Sequence, residues 1–571
     1  MRYRALAVDY DGTLATDGRV ADNVVPMLRR LTGSGRKLIL VTGRQLGDMR
    51  RVFAHTDLFD RMVAENGGVL SGPGGAGERA LAASPPAELI AALERRKVEP
   101  LDVGHVVLAS CEPHQTAILD AVRELGLEYQ IVFNKGSIMV LPAGVNKQTG
   151  LLAALAELGL SPRNVVGMGD AENDHAFLDV CECAVAVANA LPAIKKRADF
   201  VTRGANSAGV VEVIEALLED DLARVEPRLE HHHIVLGTDV SAHKPKYVLL
   251  PPFGSGVLIA GTSRAGKSSL VLGLVERIQQ AGYQLCLVDP EGDYEALPSA
   301  VNLGNAQQAP TVQDVLDVLD DPTQNVCVSL LAIAAQDRPR YFGELQTALS
   351  GFQARSGRPH WLVVDEAHHV LPCDSVDVQP LAWKLGGLAL VTLDPKRLAA
   401  SVKPLITHVC LVGREPSATL AAAGELLEAR APTGRVGDLR KGEALLWRRG
   451  ARRAQLVELI PATYKRRRHR RKYVEGELPP ERSFYFRGRE NALNLRVQNL
   501  QIFVQVATGV DDATWAHHLR AGDYSRWIET QLKDRKLARG VAAIERDRGL
   551  SAEASRERVR ELIDSRYAPP S

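Results

Sequence analysis

The sequence predicts an α/β protein built on parallel sheets, with a mostly helical module at its carboxyl end. Three observations predict this. Apolar runs of strand length alternate with helical patterns through most of the chain, the pattern of parallel sheets that bind ligands at strand carboxyl ends. Two polar motifs, L-A-V-D-Y-D-G-T at Leu6–Thr13 and G-T-S-R-A-G-K-S at Gly261–Ser268, each follow such a run. The 571 residues exceed what one core supports, so roughly three or four domains are expected. Composition and motifs divide the chain into residues 1–221, 222–461 and 462–571.

Hydrophobic content of 45% and charged content of 24% are those of a soluble globular protein. A net charge of +1 argues against whole-molecule attraction to nucleic acid or membrane, though it leaves room for a local basic patch. No apolar run is long enough to span a bilayer, and the start M-R-Y-R-A-L-A-V-D is too soon charged for a signal peptide. The seven cysteines are scattered, with one close pair in C-E-C. That spacing fits neither zinc nor a disulfide framework, so reduced thiols and a cytoplasmic location are expected.

Ala5 to Val8 is a short apolar run, and Asp9 and Asp11 stand where that strand ends, before a turn at Gly12 and Thr13. Two carboxylates two residues apart at a strand terminus converge on one point, which is costly unless a cation lies between them. Oxygen-only ligation suits Mg²⁺. One carboxylate can then attack phosphorus while its neighbour moves protons. A plain strand-to-turn junction uses the same residue types, so the motif gains meaning only from its companions further along the chain.

A helical pattern over Val24 to Thr32 closes at G-S-G, and K-L-I-L-V-T-G-R reads as a buried strand ending in Thr42, Gly43 and Arg44. A parallel sheet brings Thr42 beside Asp9, where its hydroxyl can donate to a phosphate oxygen. Lys147, in A-G-V-N-K-Q-T-G, stands just ahead of a helix expected over Gln148 to Leu158. Its charge would neutralise phosphate and nucleophile together. The strand N-V-V-G-M-G-D delivers Asp170, and A-E-N-D adds Asn173 and Asp174 as hard oxygen ligands for the same cation. Each piece alone also fits a solvated helix start or an acidic loop. Four in order, each after an apolar run, point to catalysis.

D-Y-D-G-T, V-T-G-R, the N-K lysine and G-D-x-x-N-D resemble the four motifs of the haloacid dehalogenase superfamily. The tail A-V-A-V-A-N-A-L-P-A-I-K-K-R-A-D-F-V-T with S-A-G-V-V-E-V-I is similar to its Cof-like branch, which includes sugar-phosphate and phosphoglycolate phosphatases. The resemblance implies a Rossmann-like core, with Asp9 as the nucleophile forming an aspartyl-phosphate and Asp11 as acid and base. It implies that Thr42 and Lys147 hold the phosphate, and that Mg²⁺ sits on Asp9, the backbone carbonyl of Asp11, and Asp170, supported by Asn173 and Asp174. An α/β cap is implied between the second and third motifs. Here that interval runs from about Gly68 to Ala143, opens with G-P-G-G-A-G and is short, with Asn66 and Gly67 as the expected hinge.

In the second region, the join holds His231, His232 and His233, expected as a linker or the approach to a strand because consecutive side chains cannot share one metal. The strand G-V-L-I-A then leads into Gly261, Thr262, Ser263, Arg264, Ala265, Gly266, Lys267 and Ser268, followed by a helix expected from Ser269 to Gln280. This is a phosphate-binding loop in its required context. Backbone N–H groups wrap the phosphates of ATP, Lys267 reaches the β- and γ-phosphates, and Ser268 ligates Mg²⁺. H-W-L-V-V-D-E-A-H-H ends a strand in Asp365, suited to the Mg²⁺ shell, and Glu366, suited to activating water. V-D-P-E-G-D-Y and V-V-D-E-A-H-H-V-L-P resemble the HerA/FtsK-like branch of P-loop ATPases, which implies a RecA-like fold and hexameric rings on DNA. Leu393 stands where that branch carries a glutamine, which puts ring-coupled hydrolysis in doubt. Arg397 and Arg414 are candidate arginine fingers.

The third region opens with K-R-R-R-H-R-R-K at Lys465–Lys472, expected as a solvated linker because no aromatics interleave it to stack on bases. Beyond it, R-S-F-Y-F-R-G and the later stretches read as mostly helical, with Trp515, Tyr524 and Trp527 in the core and His517 and His518 as ordinary buried or solvated side chains.

The leading reading is an Mg²⁺-dependent phosphatase for a small phosphorylated substrate, fused to an ATP-binding domain that senses or hydrolyses ATP. It needs no membrane, and a homo-oligomer would form through the ATPase domain. The alternative is a nucleic-acid-associated ATPase whose phosphatase head processes nucleotide or polynucleotide phosphates.

Overall fold

The computed structural model describes residues 1–134, 136–223, 232–240, 246–263, 265–294, 297–374, 380–383, 385–432, 437–463, 478, 480–487, 493–532 and 534–567. Arg264, His231 and the basic run Lys465–Lys472 lie outside these residues. The chain divides into two compact units, Met1–Tyr464 and Lys465–Ser571. Among the described residues, no helix is long and apolar enough to cross a membrane.

Within the larger unit, the first sheet takes β1 (Ala5–Asp9), β2 (Lys37–Val41), β3 (Arg61–Ala64), β4 (Val69–Ser71) and β5 (Arg79–Ala80). An insertion comes next with β6 (Asp102–Val103), β7 (Leu108–Cys111), β8 (Tyr129–Asn134) and β9 (Ser137–Pro142). The first sheet resumes with β10 (Val165–Gly169), β11 (Cys183–Ala186) and β12 (Phe200–Val201). Its order is β12-β11-β10-β1-β2-β3-β4-β5, parallel as far as β3 and antiparallel beyond it. β1 is central and buried along its whole length, which is why Leu6, Ala7 and Val8 form an uninterrupted apolar run.

The insertion is shorter as a cap than expected. Residues from Val69 to Ala80 return as a hairpin that lengthens the first sheet, because Val69 and Leu70 bury against its core. The cap proper is the antiparallel sheet β6-β7-β9-β8 with the helices Ala87–Arg95 and Gln115–Glu124, which enclose a small core of Leu89, Leu93, Ile118 and Val140.

The second sheet has eleven strands: β13 (Ile234–Asp239), β14 (Lys246–Leu250), β15 (Gly256–Ala260), β16 (Leu285–Asp289), β17 (Val301–Leu303), β18 (Val326–Ser329), β19 (Trp361–Val364), β20 (Gly387–Thr392), β21 (His408–Leu411), β22 (Glu443–Arg448) and β23 (Gln455–Leu459). The order is β14-β13-β23-β22-β21-β15-β20-β19-β16-β18-β17. The seven strands from β21 to β17 in this order are parallel, and the other four form an antiparallel flank. The helix Lys267–Gln280 starts directly after the glycine-rich loop, and buries Leu270, Val271, Leu274, Val275 and Ile278.

The two sheets meet at the amino ends of their strands. Ahead of β11, Glu182 is fully buried and accepts from Arg2 at 2.7 Å and from the Tyr283 hydroxyl at 2.9 Å, just ahead of β16. Ahead of β10, Arg163 donates to the Ala281 carbonyl at 2.7 Å and reaches the His232 ring at 3.0 Å. His232 is thus a buried joint residue on the approach to β13, as well as part of a linker. Asn164 donates through Nδ2 to Arg2 and Gly357 carbonyls, and its Oδ1 faces His360 Nε2 at 3.1 Å. His360 Nδ1 accepts from the Gln284 backbone N–H at 2.9 Å. These partners fix a neutral imidazole with its proton on Nε2.

In the smaller unit, β24 (Phe484–Phe486) and β25 (Leu495–Val497) pair antiparallel where helix was expected. The alternation of S-F-Y-F decides it: Phe484 and Phe486 are buried and Tyr485 between them is not, a period of two. Among the described residues, six helical segments come after them, with Trp515, Tyr524 and Trp527 in the core as expected. His518 is buried, bonded to Asp523 at 2.8 Å and to the Arg487 N–H at 2.9 Å, while His517 is exposed.

Burial first, then the nearby Arg358, holds His360 well below the ordinary histidine range. The unfolded chain therefore takes up a proton that the folded one refuses. Stability should be complete above the ordinary histidine pKa and fall as pH drops through it, by up to about 1.4 kcal/mol per pH unit for this one proton. Denaturant unfolding between pH 7.5 and pH 5 should show this slope, and His360→Gln should flatten it.

Candidate functional site

The carboxyl ends of β1, β2 and β10 bring the amino-terminal motif residues together. Register pairs Asp9 with Val41 and Val8 with Met168, so Thr42 stands one step, and Asp170 two, beyond these pairs on either side of Asp9. Asp9, Thr42, Asp170 and Asp174 are all buried. Carboxylate oxygens of Asp9, Asp170 and Asp174 lie within 4.8 Å of one another.

Lys147 is the first residue of the helix Lys147–Glu157 and not the residue before it. Asn146 caps that helix by accepting from the Thr149 N–H, and Thr149 accepts in return from the Asn146 N–H. The cap aims Lys147 into the cluster, where its ammonium donates to Asp9 Oδ1 at 2.6 Å and to Asp174 Oδ1 at 2.5 Å. Asp174 Oδ2 accepts from the Asp170 and Ala171 N–H groups. Both its oxygens are engaged, so Asp174 locks the loop that carries Asp170.

Burial, followed by the Asp174 charge, pushes Asp9 well above the usual carboxylate range against the pull of Lys147. Burial alone would lower Lys147, but Asp174 and Asp9 outweigh it and hold the ammonium above its ordinary value. Three buried carboxylates, two of them sharing one ammonium, leave an excess of negative charge that a divalent cation would balance, and an all-oxygen donor set suits Mg²⁺. Gly12 leaves the space that the Asp170 carboxylate fills. Its φ is +87°, and a Cβ there would lie 2.3 Å from Asp170 Oδ2.

One predicted side chain, that of Asp11, is placed elsewhere. The Asp11 carboxylate is outside the cluster, held by both arms of Arg44 at 2.6 and 2.8 Å, and Arg44 is braced in turn by Asp48 at 2.6 Å. Asn173 donates to Asn66 Oδ1 at 3.2 Å, and its own Oδ1 is buried without a hydrogen-bond partner among the described residues. From the sequence, Arg44 is only the end of a strand. The signal for its role was Asp48 one helical turn onward, poised to brace it.

Sequence reasoning also missed Glu65. Buried beside the expected hinge, it accepts from the N–H groups of His105, Val106 and Val107 and so ties the start of the cap to the core. Glu65 and Asn66 both adopt left-handed backbone, with φ of 51° and 54°. The cap residue Met139 would touch a Cβ at Gly43, 3.1 Å away, so β9 reaches the rim of the cluster.

In the second sheet, the glycine-rich loop leaves the carboxyl end of β15, and Gly266 takes φ +105° to turn it into the helix. Lys267 is buried, folded back to donate to the Gly261 and Thr262 carbonyls at 2.9 and 3.3 Å. Burial lowers its pKa, opposed by Glu366, Asp365 and Glu291. Asp365 follows β19 and is pushed up to about 6 by burial and by the Glu366 charge. Tyr294 is buried against Asp365 and Ser268. Arg397 and Arg414 are exposed after β20 and β21.

A family profile described as haloacid dehalogenase-like hydrolase matches residues 6–85 and 92–214. The chain is 32% identical over 222 residues to a phosphoglycolate phosphatase of Methanothermobacter thermautotrophicus, covering 38% of this chain and 99% of the relative. It is 30% identical over 220 residues to a phosphoglycolate phosphatase of Haloarcula marismortui, covering 37% and 95%. A solved haloacid dehalogenase-like hydrolase from Bacteroides thetaiotaomicron overlies 38% of this chain and 99% of its own at 19% identity and a TM-score of 0.33. The relatives are spanned almost end to end, and through this amino-terminal part the chain belongs to the haloacid dehalogenase-like hydrolases.

Proposed function

We propose that the first sheet hydrolyses a small phosphomonoester through an aspartyl-phosphate on Asp9, and that the second sheet binds ATP. The observation that carries the first reading is the buried cluster of Asp9, Asp170 and Asp174 around Lys147. Lys147 occupies Asp9 Oδ1, which leaves Oδ2 for in-line attack on phosphorus. As that O–P bond forms, the bond to the leaving alkoxide breaks, and Asp11 supplies its proton. Water then attacks the phosphoryl group, Asp11 takes the water's proton, and Asp9 is released. Asp11 reaches this position by exchanging its pairing with Arg44 for the substrate oxygen.

Thr42 accepts from the Arg44 N–H, so its hydroxyl hydrogen can serve a phosphate oxygen. Asp9, Asp170 and the Asp11 carbonyl would hold Mg²⁺, with Asn173 and Asp174 beside them, and the ion when bound would offset phosphoryl charge. Phosphoglycolate is the first substrate to try, because two of the relatives carry that activity in their names. A sugar phosphate is the second.

Asp9→Asn should lower turnover of phosphoglycolate by on the order of 10³-fold or more, and EDTA should abolish wild-type turnover until Mg²⁺ is restored. Unchanged turnover in Asp9→Asn would remove the mechanism. Gly12→Ala should cost about 10²-fold by displacing Asp170, with circular dichroism unchanged.

For the second sheet, support comes from Lys267, Asp365 and Glu366 gathered at the carboxyl ends of β15 and β19. Ser268 and Asp365 would hold the Mg²⁺ of ATP, and Glu366 would orient water. Titration with a fluorescent ATP analogue should show Lys267→Ala binding roughly 10-fold or more weakly, at undiminished phosphatase rate. Equal affinity in both proteins would sink this half of the reading.

A further inference from the structure

Where the two sheets meet, a cleft of about 470 Å³ opens between the end of the helix Lys147–Glu157 and the ends of the helices Val312–Asp320 and Arg338–Ser356. Its volume is in the range of small-molecule sites. The charged side chains around it are mostly basic: Arg4, Lys37, Arg355 and Arg358, against Glu157 and Asp320.

The acidic side is weaker than it looks. Glu157 is taken by Arg61 at 2.7 Å and by Arg79 at 2.7 Å. Lys37 is matched by Asp60 at 2.8 Å. Of the lining itself that leaves Arg4, Arg355 and Arg358 with Asp320, while Asp221 acts on Arg4 and Asp321 on Arg358 from outside it.

Arg358 is 2% exposed and spends four hydrogen bonds on Gln284 and on the carbonyls of Leu319, Asp320 and Gly159, yet its Nε has no partner among the described residues. The Nε of Arg4 is likewise buried without a hydrogen-bond partner among them. Burial lowers Arg4 and the neighbouring Arg36 adds like-charge repulsion, with Asp221 opposing them in part. Burying cations this way is costly unless something negative completes the site.

We propose that this cleft binds a small oxyanion, phosphate- or carboxylate-bearing, on Arg4 and Arg355, with the charge of the buried Arg358 beside them. The ligand touches both sheets at once, and its site is separate from the Asp9 cluster and from the loop Gly261–Ser268, which lie at the opposite strand ends.

The test is calorimetric titration of the full chain with inorganic pyrophosphate and, separately, with citrate, in wild type and in Arg4→Gln/Arg355→Ala. Both substitutions lie away from the Asp9 cluster, so basal phosphatase turnover should be unchanged. In the double variant one class of site should weaken by at least 10-fold, roughly the loss of two charge-assisted contacts. Loss for pyrophosphate alone identifies a phosphate-bearing ligand, loss for citrate alone a carboxylate-bearing one, and loss for both probes a general oxyanion site. Identical isotherms in the two proteins overturn the proposal. Should the double variant misfold, Arg355→Ala, on the outer turn of its helix, reads the same difference.

Discussion

The ammonium of Lys147, bonded at once to Asp9 and Asp174, is the interaction on which the first half of the molecule depends. It joins the last residue of β1, a helix that begins just after the cap, and the loop after β10. Asp9 and Lys147 stand 138 positions apart in the chain. Without this contact, the carboxylates would be buried beside one another with nothing to offset their repulsion. Asp174 then passes the constraint on through its two backbone bonds, so the position of Asp170 is fixed by a residue whose own oxygens are both already engaged.

A second constraint is the joint. Glu182, Arg163, Asn164 and His360 connect loops that precede strands, not loops that follow them. Parallel sheets carry their ligand loops at the other end. The chemistry of each sheet is therefore left free of the joint while the amino ends bear the mechanical connection. Fixed polar contacts suit that role, because each buried donor and acceptor must find its one partner before the sheets can pack.

Much of the first site was legible in the sequence because its residues stand directly after apolar strands. Position along a parallel strand converts into position in space, so D-x-D-G-T, V-T-G-R and G-D-x-x-N-D could be superposed before any geometry was known. What was not legible depended on side chains turning away from that axis. Asp11 faces Arg44, and Glu65 binds three backbone groups that stand some forty residues onward. The glycines of the hairpin Val69–Ala80 read as a cap boundary, while burial of Val69 and Leu70 assigns it to the core. Phe484 and Phe486 show the opposite failure: a period of two was present but too short to outweigh the helical pattern around it. The joint left no motif, since its residues are ordinary polar ones whose partners lie on another sheet.

The joint also bears on modularity. Removing everything after Asp221 would uncover Glu182, Arg163 and Asn164 together, an apron of polar groups shaped for a surface no longer there. In this protein the hydrolase fold and the second sheet form one compact unit, and polar contacts at the amino ends of their strands join the two.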